Sequence, residues 1–249
     1  MARAFSRASE TYDKNNLIQN YVAKSLVSKI ISDKSVRLGD VLDMGCGTGF
    51  LAEQLSTYSN HYVLADISLP LLNVAYEKVK GDHISALVVN GEMPCFTASF
   101  DVIVSNLTLH WFQDPKKALS SLAACLKPGG RLFLTTLGNN TFYEWRTAHF
   151  LAEVPCGLLE FVSFGQLKDW LPLSGASYVE EDWLRTTPKD AMEFLKGLKG
   201  MGGTLAHPGH TPLPLKTFRK VMDVYNKNPS TSYQILYATY QRPEKIREE

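Results

Sequence analysis

The chain predicts an α/β fold built on a doubly wound, mainly parallel sheet of seven strands. Two observations carry that expectation. Between residues 39 and 136, short apolar runs alternate with segments of helical apolar spacing, the pattern of βαβ units. At the first junction, Asp43-Met44-Gly45-Cys46-Gly47-Thr48-Gly49 sets three alternating glycines between the strand-like Val41-Leu42 and the helix-like Phe50–Leu55. A glycine turn there lets a ligand lie against bare backbone, with helix N-terminal N–H groups facing it. Asp66 ends the second run, His61–Ala65, and stands 17 positions after Gly49. A nucleotide fold places about there the carboxylate that grips ribose hydroxyls.

In order along the chain, residues 9–33 carry helical spacing, with Leu17, Ile18, Tyr21, Val22, Leu26, Val27 and Ile30 on one broad face. Strands are expected at 39–44, 61–65, 84–89, 100–105 and 130–136, with helices at 49–58, 68–80 and 114–126 between them. Leu126-Lys127-Pro128-Gly129-Gly130-Arg131 reads as a helix stop and a tight turn into the fifth strand. Residues 139–172 look helical and aromatic. A strand at 176–185, a helix at 188–198, a glycine cluster at 199–203, a helix at 215–226 and a last strand at 233–240 complete the pattern.

Composition bounds the function. Of 249 residues, 45% are hydrophobic and 20% charged, enough apolar content for a sizeable core. The net charge of +1 indicates no general attraction to nucleic acid or a membrane surface. Cys46, Cys95, Cys125 and Cys156 lack metal-type spacing and read as reduced structural thiols, so no metal is expected. No run approaches the ~20 apolar residues of a membrane span, and the N-terminus lacks the apolar core of a secretory signal. A cytoplasmic protein is the expectation.

The glycine spacing narrows the ligand. Gly45-x-Gly47-x-Gly49 is not the G-x-G-x-x-G of a dinucleotide site, and no Gly-Lys-Ser/Thr forms a P-loop. Asp43 would repel a pyrophosphate and suits a ligand with a positively charged amino group. The pattern D-x-G-x-G-x-G resembles motif I of class I S-adenosylmethionine-dependent methyltransferases. The resemblance implies a Rossmann-like sheet with an N-terminal helical lid and helices inserted after strand five. It also implies S-adenosyl-L-methionine as cofactor, with S-adenosyl-L-homocysteine as product. Asp66-Ile67 matches the ribose and adenine position. Asn90-Gly91-Glu92 matches the loop after strand three, where the family usually has Asp in place of Asn90. Asn106 matches the methionine end of strand four, and "LKPGG" at 126–130 matches the turn into strand five. Cofactor-binding residues implied in this way are Asp43, Gly45, Cys46, Gly47, Gly49, Asp66, Ile67, Asn90, Gly91, Glu92 and Asn106. Two alternatives stay open: Asp43 as a helix cap, and Asp66 as a cap for the helix starting near Ser68.

Motifs outside this core are similar to those of the biotin-pathway malonyl-acyl-carrier-protein O-methyltransferases. They are the opening Ala4–Asp13, Ser105–Trp111, Phe133–Leu137, Leu198–Thr204 and Ser232–Tyr237. That resemblance implies methyl transfer to the free carboxylate of a malonyl group on acyl carrier protein, for pimelate and biotin synthesis. It also implies a division into a lid at 1–36, a cofactor core at 37–138, and acceptor-side helices with the last strands at 139–249, all one domain. A carboxylate is already a nucleophile, so no general base is needed, and no Ser-His-Asp or Cys-His constellation is evident. Positioning candidates are Tyr12, His110, Trp111, Arg146 and Lys199. Each has a plain alternative: helix or lid packing for the aromatics and His110, and a surface charge for Arg146 and Lys199. Two other acceptors remain open. One is a free small molecule; the other is a protein arginine, because Leu109-His110-Trp111 and Tyr143–Arg146 also resemble respiratory-complex assembly factors.

Overall fold

The computed structural model describes residues 17–34, 38–200, 206–207 and 209–244. Helix α1 (Leu17–Ser32) precedes strand β1 (Asp40–Met44). A short helix α2 (Ala52–Leu55), continued by a 3₁₀ turn at Ser56–Tyr58, leads to β2 (His61–Asp66). Helix α3 (Leu69–Val79), β3 (Ile84–Val88), β4 (Phe100–Ser105), α4 (Pro115–Ala124) and β5 (Leu126–Leu137) follow. Then come α5 (Tyr143–Leu151), α6 (Phe164–Trp170), β6 (Ala176–Thr186), α7 (Ala191–Gly200), α8 (Leu215–Tyr225) and β7 (Thr231–Gln241).

The seven strands form one sheet in the order β3-β2-β1-β4-β5-β7-β6. Neighbours from β3 through β5 pair parallel, and β7 runs antiparallel to both β5 and β6. Strand order therefore reverses between β1 and β4, the switch point outside whose carboxyl ends such sheets bind ligands.

Alternation along β1 shows how the two faces are covered. Val41 points into a core shared with α1, α3, α5, α7 and α8, through Val22, Leu72, Trp145, Phe194 and Val221. Leu42 and Met44 point into the opposite core, shared with α4 and α6 through Leu119 and Leu167. Because strand side chains alternate in direction, Asp43 lies on the α1 side. Truncating Leu64 or Ile103, both 0% exposed, to alanine costs about 2–5 kcal/mol.

Several boundaries differ from expectation. The helix before strand five stops at Ala124, two residues early, because Leu126 already pairs with Phe100. The Lys127–Gly130 turn is an outward excursion within β5, and regular pairing resumes at Val102–Arg131. Gly129 takes φ +78 there. Residues 139–172 are not continuously helical: α5 ends at Leu151, Glu153 adopts φ +57, and Pro155 cannot continue the helix. A Ser163 capping box with Gln166 starts α6 afresh. The last strand is longer than expected, because Thr231 and Ser232 pair with Thr186 and Arg185.

Among the described residues, no helix is long and apolar enough to cross a membrane, and no group of His, Cys, Asp or Glu is arranged to hold a metal. All four cysteines are free thiols.

Candidate active site

The turn after β1 is held in left-handed backbone, with Gly45, Gly47 and Gly49 at φ +73, +55 and +89. Three different contacts explain three glycines. A Cβ on Gly45 would sit 2.4 Å from the Thr108 side chain, and one on Gly49 would meet Ala75 of α3 at 3.1 Å. A Cβ on Gly47 would meet nothing within 4 Å, so here the open space is on the ligand side. Gly45 N and Cys46 N donate to Ala65 O, tying the turn to the end of β2.

Asp66 closes the same junction. Its Oδ2 accepts from Gly47 N at 2.9 Å and its Oδ1 from Ser68 N at 2.8 Å, just before α3. The second bond braces the backbone at the entry to α3, whose cap position is Ser68. A carboxylate has about four lone-pair sites, so two further donors can still be accepted. Burial raises the Asp66 pKa above the ordinary carboxylate value.

Asp43 is 1% exposed and caps no helix. Tyr62 donates to its Oδ2 at 3.0 Å, whereas Oδ1 is sealed from water with no hydrogen-bond partner among the described residues. Burial pushes its pKa to about 7, against the lowering effect of the Tyr62 bond.

These groups line a cavity of about 260 Å³ at the carboxyl ends of β1 and β4. Its wall contains Asp43, Gly45, Cys46, Gly47, Asp66, Ile67, Asn90, Gly91, Glu92, Asn106, His110 and Trp111. Eleven cofactor residues were expected from sequence, and only Gly49 is absent from this wall, since it packs behind the turn on α3.

Not all of the lining residues offer free side-chain groups. Glu92 Oε1 accepts from Gln113 N at 2.7 Å and Asp114 N at 2.8 Å, bracing one rim loop against another. Asn90 Oδ1 accepts from Glu92 N at 3.1 Å. Asn106 donates to Gln19 O and accepts from Thr135 Oγ1, linking α1 to β4 and β5.

The far wall is built from neutral groups. His110 follows β4 on a 3₁₀ turn at Leu109–Trp111. Its ring lies 5.0 Å from Trp111 and edge-on to Phe161 at 5.7 Å. Burial alone lowers its pKa to about 3, so the imidazole is neutral at physiological pH. Tyr233 of β7 also lines the cavity, and burial pushes its phenol up to about 12. The described lining includes no lysine or arginine.

The remaining positioning candidates lie elsewhere. Arg146 donates to Leu159 O at 2.7 Å and Thr141 O at 3.4 Å, with its guanidinium 5.9 Å from the Phe161 ring. It stands one ring behind His110 and is outside the cavity lining. Lys199 is exposed near the end of α7. Tyr12 and the glycines at 202–203 lie outside the described residues. Sequence reasoning missed Gln19, Thr48 and Tyr233 as lining residues. For Gln19 a signal existed: it shares the buried helix face of Val22, Ala23 and Leu26 yet is polar.

The residues fit a nucleoside ligand bearing an amino-acid cation. Asp66 retains acceptor sites for two hydroxyls, Ile67 is exposed beside it, and Asp43 Oδ1 awaits a donor. Known proteins agree with this class. The family described as "Methyltransferase domain" matches residues 42–134, the sheet half that carries the glycine turn. An N-methyltransferase, NodS from Bradyrhizobium japonicum, solved with S-adenosyl-L-homocysteine, shares the fold at a TM-score of 0.55 and 16% identity, covering 89% of this chain and 86% of that one. The fold and site are those of an S-adenosylmethionine-dependent methyltransferase.

Two curated relatives narrow the class. A malonyl-[acyl-carrier protein] O-methyltransferase of Magnetococcus marinus is 29% identical over 97% of this chain and 92% of its own length. The second such enzyme of Ilyobacter polytropus is 30% identical over 91% of this chain and 88% of its own length. The chain belongs to the malonyl-[acyl-carrier protein] O-methyltransferase family.

Proposed function

We propose that this enzyme transfers a methyl group from S-adenosylmethionine to the free carboxylate of a malonyl group carried on acyl carrier protein. The observation that carries this reading is the neutral far wall. His110, with a pKa of about 3, is too weak a base to take a proton near pH 7, and Tyr233 stays protonated. An amine or hydroxyl acceptor must lose a proton during methylation, whereas a carboxylate arrives ionised.

When bound, S-adenosylmethionine supplies a methyl group on a sulfonium sulfur, and its transfer to a carboxylate oxygen leaves a neutral thioether with no proton moved. The chain's own residues hold and align. Asp66 takes ribose hydroxyls, and Ile67 packs beside the base. Asn90 and Gly91 border the base, and a Cβ on Gly91 would fall 2.7 Å from Phe112. Asp43 faces the amino group, with Gly45, Cys46 and Gly47 as the cradle. His110, whose Nδ1 has no partner among the described residues, offers a neutral ring N–H to the acceptor carboxylate without a full opposing charge, with Trp111 packed beside it, which preserves the carboxylate's nucleophilicity. Alignment and exclusion of water then supply most of the rate.

Residues 1–36 act as the lid in this reading, supported by Ile18 and Gln19 of α1 in the cavity wall. The carrier protein, acidic as such proteins generally are, docks on the acceptor side. Lys196 and Lys199 of α7 and Lys216, Arg219 and Lys220 of α8 are all exposed and could supply the basic contacts. The two helices are joined by the Phe194–Tyr225 stack at 5.3 Å.

The test is incubation with methyl-labelled S-adenosylmethionine and malonyl-, succinyl- or acetyl-carrier protein, alongside malonyl-coenzyme A. Label on malonyl-carrier protein, released as methanol by base, is the expected result. Label only on free small acids would refute the carrier-bound acceptor.

A further inference from the structure

Gln19 enters the cavity from an element that the nucleotide-binding half of the sheet does not contain. It lies in the first turn of α1, and its backbone oxygen accepts from Asn106 Nδ2 at 3.2 Å. Asn106 directly follows β4, and β4 runs beside β1 with Val104 opposite Asp43. Thr108, two residues further, donates to Gly45 O at 3.4 Å. Gln19 is thus anchored beside the glycine turn, at the switch point itself.

Its side chain has an unmet requirement. Gln19 Oε1 is sealed from water and has no hydrogen-bond partner among the described residues. Asp43 Oδ1 is in the same condition in the same cavity. An unmet buried acceptor costs about 1–3 kcal/mol, so these two oxygens, in a wall that also holds the unpartnered His110 Nδ1, call for a donor from a ligand. Asn106 spends one of its two amide N–H donors on Gln19 O, and no protein donor among the described residues reaches either oxygen. A group with three N–H donors on one centre, an ammonium, matches a pair of acceptors on different walls.

We infer that Gln19 is a ligand for the amino group of the methyl donor, acting with Asp43, so that α1 becomes part of the donor site. This rests on the reading of the cavity as an S-adenosylmethionine site. The chemistry specifies which part of the ligand Gln19 senses: the amino-acid end, not the nucleoside.

The experiment is calorimetric titration of the full chain with S-adenosylhomocysteine and with 5′-methylthioadenosine, which keeps the nucleoside and lacks the amino acid. For Gln19→Leu, S-adenosylhomocysteine weakens about tenfold or more, the loss of one hydrogen bond to a charged group, while methylthioadenosine stays within about twofold. Gln19→Glu keeps an acceptor oxygen and holds S-adenosylhomocysteine within about threefold of wild type. Equal losses for both ligands in Gln19→Leu, or no loss for either, would overturn the assignment. So would Gln19→Glu binding more weakly than Gln19→Leu, because the amide would then be donating to the ligand carboxylate. Wild type that binds neither ligand would refute the donor-site reading and this assignment together. Wild type that binds both without discrimination by Gln19→Leu refutes the assignment alone.

Discussion

Tyr62 holds Asp43 by a single 3.0 Å hydrogen bond across the first two strands, and the other carboxylate oxygen is sealed and unpartnered among the described residues. The pair has a direct consequence for stability. Asp43 ionises near 3.8 in the unfolded chain and near 7 in the fold. Between those values the folded protein keeps a proton that the unfolded chain has released, so stability falls as pH rises and levels off above about 7. The full loss is about 4 kcal/mol. Asp43→Asn, which cannot ionise, is expected to melt about 3 °C or more above wild type at pH 8, with the gap closing at pH 5. Melting curves at the two pH values decide this; a pH-independent gap would count against it.

The same carboxylate predicts proton linkage to donor binding. An ammonium favours ionised Asp43, so below about pH 7 binding must expel a proton. Affinity for S-adenosylhomocysteine is expected to fall by up to about tenfold per pH unit from 7 to 5. Calorimetry at pH 6 in two buffers of different ionisation enthalpy should show proton release approaching one. Asp43→Asn should bind more weakly and lose this dependence.

Gly47 and Gly45 separate ligand space from fold space. Gly47→Ala introduces a methyl at φ +55 that meets no protein atom within 4 Å. It should fold with a loss of about 1–2 kcal/mol and lose most donor affinity. Gly45→Ala drives its methyl to 2.4 Å from Thr108 and should be the less stable protein. Thermal melts and donor titration on both variants make the comparison.

Glu92 is expected to matter less than its place in the cavity wall implies. Its carboxylate braces the backbone of Gln113 and Asp114 at an exposed rim. Glu92→Gln should change donor affinity by no more than about fivefold, the effect of one modest hydrogen bond. Asp66→Ala, by contrast, removes the acceptor for Gly47 N and Ser68 N and should cost about 100-fold or more in affinity.

With donor saturating, kcat is expected to be flat between pH 6 and 9. Neither His110 nor Tyr233 changes protonation in that range, and the acceptor is already ionised. A bell-shaped profile with a limb near 6.5 would require a working base and would sink the neutral-wall argument.

The sheet was legible in the sequence because its strands are short apolar runs between turn residues, and Asp43, the three glycines and Asp66 lie within one βαβ unit. Local spacing alone brings them together. The far wall was harder to read. Gln19 and Tyr233 sit near opposite ends of the chain and line one cavity only because α1 covers the β4 end and β7 inserts between β5 and β6. Arg146 illustrates the opposite error. Its chemistry suited a carboxylate fork, but Leu159 O, in the irregular segment 152–163, and Thr141 O engage it first. At Lys127–Gly130, Pro and Gly mark a break in the sequence without saying that pairing resumes on both sides of it.

A cavity lined by Asp43 and Asp66, with no lysine or arginine in its described wall, is a selective solvent for positive charge. A ligand gains electrostatic energy on entering in proportion to the cation it carries, and surrenders that gain when the charge disappears. Transfer of a methyl from a sulfonium removes one such charge from inside the site. The acidic wall is therefore expected to favour the sulfonium ligand over the neutral thioether, so that the product is held less tightly than the donor.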